Sequence, residues 1–198
     1  MTPSSDPATT FDPVPQMGFF SRLTGKLSAA GRSAREADRV FGTGLWRQHH
    51  DRFMRAVDRF YETAVALGRE ADSAADSAEG RAASHAADHP AAERIAALTT
   101  TLNAHADAVT ELTRRLHARW PLDGVVVPAQ VRTACGPLPE RLSQAATKAS
   151  EAGQAAALTR IAVRTGQDPA AQCATAARFV DDVAALIEEC LRLEAEAG

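Results

Sequence analysis

Histidines, cysteines and paired carboxylates are the side chains of this 198-residue sequence with chemistry to offer. His85 and His89 stand four residues apart, with Asp88 between them and Glu93 one turn on. On a helix that spacing puts two imidazoles on one face, which suits a transition metal. Pro90 interrupts the pattern at that point and the neighbours are polar, so the expectation is a solvated hairpin tip. No metal site is assigned, and His85 and His89 are the candidates should one exist. In His49-His50-Asp51 one histidine, His50, falls on an apolar row and His49 faces out, so the two do not form a shared site. His105 lies among Leu102, Val109 and Leu112 and is expected to be a core histidine with a satisfied hydrogen bond.

Cys135, Cys173 and Cys190 form no CxxC pair, and an odd count makes a poor disulfide framework. Cys173 and Cys190 on one helix would stand about 25 Å apart, too far to bridge. All three are expected to be small apolar residues on buried helix faces. Asp181-Asp182 and Glu188-Glu189 are adjacent in sequence, and adjacent helical residues do not face each other. They are expected on a solvated face, without paired-carboxylate catalysis.

Familiar catalytic patterns are missing. The sequence has no Glu-x-x-His, HExxH, GxSxG or phosphate-binding GxxxxGK[ST]. Gly42-Thr43-Gly44 begins a GxGxxG, but Arg47 takes the place of the last glycine and no strand precedes it. No cofactor is expected.

The elements that would position these residues are helical. Hydrophobic residues make up 45% and aromatics only 5%, while alanines number about 43. From Leu45, one seven-residue series reads Trp46, Phe53, Phe60, Leu67, Ala74 and its companion His50, Val57, Ala64, Ala71, Ala78. Two such rows make the seam of a helix that packs lengthwise on another. After Asp88-His89-Pro90 the pattern repeats, with Ile95, Leu102, Val109, Leu116 beside Leu98, His105, Leu112. Residues 122–128 read as a loop with buried valines, followed by a short helical turn over 128–135. Pro139-Glu140 starts a third long helix running to about Arg164, with Leu138, Leu142, Ala145, Ala149, Ala152 and Ala156 on one face. Gly166 stops it, and Asp168-Pro169 caps and opens the last helix. Ala176, Phe179, Val180, Val183, Leu186, Ile187, Cys190 and Leu193 form that helix's apolar face. The fold class is all-α: an antiparallel bundle of four long helices, preceded by a short amphipathic helix and a disordered N-terminal tail. Residues 1–17, with Pro3, Pro7, Pro13 and Pro15, make the tail, and 18–198 a single helical-bundle domain.

The segment 19–41 carries Arg22, Lys26, Arg32, Arg35 and Arg39 against Glu36 and Asp38, a net positive stretch in a chain of formal charge −3. Phe19, Phe20, Arg22, Leu23, Lys26 and Leu27 are its candidate membrane or partner contacts. Met17-Gly18-Phe19-Phe20-Ser21-Arg22-Leu23 resembles the opening of phage-shock membrane-remodelling proteins, which implies an anionic membrane surface as partner. Ala30-Gly31-Arg32-Ser33 with Phe41-Gly42-Thr43 resembles the helix-turn-helix of TetR-type regulators, which implies duplex DNA. In that pattern Asp38 and Arg39 stand where a tyrosine is expected, and Gly44 where a lysine is. The structural alternative is a helix that caps the bundle, and a cap is what is expected of 19–41.

A pI near 6.1 argues against general nucleic-acid binding, and no stretch approaches the ~18 apolar residues of a membrane span. No secretory signal is visible, so a cytoplasmic location is expected, or a peripheral one at the membrane through 19–41. The expected function is a non-enzymatic helical scaffold or interaction protein acting through a protein partner or a homo-oligomer. The alternatives are a peripheral membrane protein and a TetR-like DNA-binding regulator.

Overall fold

The computed structural model describes residues 35–76 and 88–197. The proposed tail, the contacts Phe19, Phe20, Arg22, Leu23, Lys26 and Leu27, and His85 lie outside the described residues. The chain divides into one unit ending at Arg39 and a second from Val40 to Gly198. Within the first, residues 35–39 are helical, and Arg39 Nη1 donates to Glu36 Oε2 at 2.8 Å.

In the second unit the helices are α1 (Leu45–Asp76), α2 (Asp88–Arg119), α3 (Ala129–Cys135), α4 (Leu138–Arg164) and α5 (Ala170–Glu196). Asp88, His89 and Pro90 open α2, as the proline predicts. No strand occurs among the described residues. The heptad rows explain where the long helices bury themselves. Trp46, Phe53, Phe60 and Leu67 on α1 and Ile95, Leu102, Val109 and Leu116 on α2 are all at most 1% exposed.

Local chemistry sets the ends. At the close of α4, Gly166 adopts φ +66°, its N–H donates to Val163 O at 3.1 Å, and Gln167 N–H donates to Ala162 O at 2.8 Å. That pair of bonds satisfies carbonyls the helix leaves open, and the left-handed turn suits glycine. Asp168 Oδ1 then accepts the Ala170 N–H at 3.0 Å, which caps α5.

Packing directions follow from the bonds between helices. Trp46 Nε1 donates to Trp120 O at 2.9 Å and His50 Nε2 lies 3.3 Å from Thr110 Oγ1, so α1 and α2 run antiparallel. Arg141 reaches Glu189 at 3.0 Å and Lys148 reaches Asp182 at 3.6 Å, so α4 and α5 also run antiparallel. Across the two hairpins the sense differs. Arg52 donates to Ser143 and Thr147 while Glu70 accepts from Arg160, which makes α1 and α4 parallel. Leu98 shares a groove with Cys173 and Ala174, and Arg115 donates to Glu194 at 3.1 Å, so α2 and α5 are parallel too. The expected antiparallel order thus holds within each hairpin and not between them. Residues 120–137 are long enough to carry the chain past the end of α1, so α4 lies beside α1 and barely touches α2.

One apolar cluster runs along the helices, built on Phe53, Phe60, Leu67, Ile95 and Leu102 against the alanine face of α4. The α4 alanines 145, 149, 152 and 156 are wholly buried. A second cluster, with Trp46, Leu116, Leu122, Cys135, Leu138 and Cys190, closes the end where 120–137 crosses over.

Four expectations need correction. Leu98 is only partly buried, because it borders the open α2–α5 groove. Val125 and Val126 are 57% and 77% exposed, because the loop is held through its backbone and turns these side chains out. Leu45 N–H donates to Gly124 O at 3.0 Å, leaving Leu122 as the buried anchor. His105 is half-buried, and its Nε2 has no hydrogen-bond partner. Asp182 and Glu189 turn toward Lys148 and Arg141, whereas Asp181 and Glu188 are exposed as expected.

Candidate functional site

The crossover end carries an open cleft of about 560 Å³. Its apolar rim is Val125, Val126 and Val127, its floor Leu45 and Pro139, and its polar groups His49, Arg132, Glu140 and Ser143. Three pieces of backbone position them. His49 sits in the second turn of α1, and Glu140 and Ser143 lie three apart on the first turns of α4, so both share a face. Arg132 projects from α3, and its Nη2 donates to Val127 O at 3.2 Å, tying the valine loop to that helix.

His49 does not face out. α1 has two neighbours, and the flank bearing His49 and Arg52 turns toward α4, where Arg52 donates to Ser143 at 3.2 Å and to Thr147 at 2.9 Å. Burial lowers the His49 pKa from its ordinary value, the Arg52 charge adds to this, and Glu140 opposes it. The ring is therefore neutral at pH 7, with one nitrogen able to donate and the other to accept. The cleft thus offers a neutral imidazole, a guanidinium, a carboxylate and a hydroxyl beside exposed valines. That set suits recognition of a surface carrying both apolar and polar groups.

His50 belongs to a different network. Its ring stacks on Phe41 with centroids 4.2 Å apart, and its Nδ1 lies 3.0 Å from Asp51 Oδ1. Arg47 Nε donates to Asp51 Oδ2 at 2.7 Å. Burial pushes the Asp51 carboxyl up, but the hydrogen bonds from Arg47 and His50 outweigh it and hold the pKa below its ordinary value. This network fastens the start of α1. The separation of His49 from His50 stands, on different grounds from those the heptad register suggested.

The three cysteines are buried and unbridged. Burial raises the Cys135 thiol, with Glu140 adding to it, and Cys190 is pushed up to about 12. Thiols so protonated are poor nucleophiles. Among the described residues no group of three or more His, Cys, Asp or Glu side chains is placed to hold a metal ion. None of the described helices is long and apolar enough to cross a membrane.

The cleft was missed in the sequence because its members come from α1, the crossover loop, α3 and α4. One signal was present: three consecutive valines between Gly124 and Pro128 in a chain otherwise dominated by alanine. Comparison with known proteins leaves the description at an all-helical fold, since no family model, curated protein or solved structure matches this chain.

Proposed function

We propose that the protein is a non-enzymatic helical interaction protein, and that the crossover end is where it meets a protein partner. In this reading the four long helices form a bundle of two antiparallel hairpins laid side by side. The contacts α1–α2, α2–α5, α5–α4 and α4–α1 support that ring. A bundle of this kind is a rigid frame on which a loop can be presented.

One observation carries the proposal. Val125 and Val126 are among the most exposed large apolar side chains of the described residues, and they stand on the rim of the 560 Å³ cleft. Exposed apolar groups ringed by polar ones mark interaction sites. The openness of the cleft to water and the exposed valines beside its polar groups support a binding role.

The test uses Val125→Asp and Val126→Asp in the full-length chain. Both side chains are exposed, so helical content and thermal midpoint should stay unchanged while the size of the native complex falls. Light scattering of the purified protein then separates the two kinds of partner: a dimer lost in the variants means self-association, and a monomer means a second protein. Variants that leave the native complex intact would refute the proposal.

A further inference from the structure

We draw no further inference here: the strongest candidate, the apolar groove between α2 and α5 lined by Leu98, Cys173, Ala174 and Ala177, has nothing in the structure to show what covers it.

Discussion

Gly44 lies directly against the backbone carbonyl of Leu122, so close that a β-carbon at position 44 would overlap it. The neighbouring Gly42 is similar: at φ +70°, a β-carbon there would stand 2.5 Å from the His117 ring. Gly44 therefore lets the start of α1 seat against the crossover loop, where Leu45 N–H bonds Gly124 O, while Gly42 lets the chain before α1 pass the His117 ring of α2. Backbone cannot yield as a flexible side chain can. Gly44→Ala should cost about 1–3 kcal/mol in denaturant unfolding. Gly68→Ala, inside α1 with nothing within 4 Å, should instead stabilise by about 0.5–1 kcal/mol. Equal effects of the two substitutions would contradict the close approach.

Phe60 is completely buried in the cluster along the helices, and α4 passes close enough that a β-carbon at Gly153 would stand 3.9 Å from the Phe60 backbone nitrogen. Phe60→Ala should cost about 3–5 kcal/mol, because the tightly packed alanines of α4 cannot collapse far into the space left. A loss below about 1 kcal/mol would mean that the register of α1 is different.

Much of this was legible from the sequence, for identifiable reasons. The rows Trp46–Phe53–Phe60–Leu67 and Ile95–Leu102–Val109–Leu116 announce their burial because helical period alone decides which residues share a face. Asp168 and Gly166 mark helix ends because capping is local chemistry. His49, Val125 and Val126 were misplaced because their surroundings depend on distant segments. A heptad seam describes one neighbour, whereas α1 has two, so the second buried flank through His49 went unseen. The parallel pairing of α1 with α4 is invisible to periodicity, which carries no information on direction. Contact with Gly44 and Leu45 turns the valines outward, and nothing local to residues 122–128 encodes that contact.

Stability should depend on pH below neutrality. Burial lowers the pKa of both His49 and His105 from the ordinary value of 6.5, so the unfolded chain binds more protons in that range. Stability is then fully present above pH 6.5 and declines as pH falls through the lowered folded values. Denaturant midpoints between pH 7.5 and 5 should fall, and a variant carrying His49→Gln and His105→Gln should show a flatter profile. A second loss comes at lower pH, where the hydrogen-bonding Arg160 holds Glu70 below its ordinary 4.5. An unchanged profile in the double variant would show that these imidazoles are not desolvated.

The basic segment 19–41 is expected to bind neither anionic vesicles nor duplex DNA. Co-sedimentation and DNA titration of full-length protein and a variant beginning at Gly42 should give the same low signal. Vesicle binding lost on changing Phe19 and Phe20 to serine would favour a membrane role. Salt-sensitive DNA binding that survives loss of Phe19 would favour a DNA-reading one.

Cross-linking from position 126 addresses the central claim most directly. A photo-reactive phenylalanine replacing Val126 in the full-length chain, activated in the source cell, should trap one discrete heavier species. The adduct should vanish when Val125→Asp is added, and the same probe at Asp181, an exposed position on α5, should trap nothing. No adduct from position 126, or the same adduct from both positions, would contradict a partner surface at the crossover end.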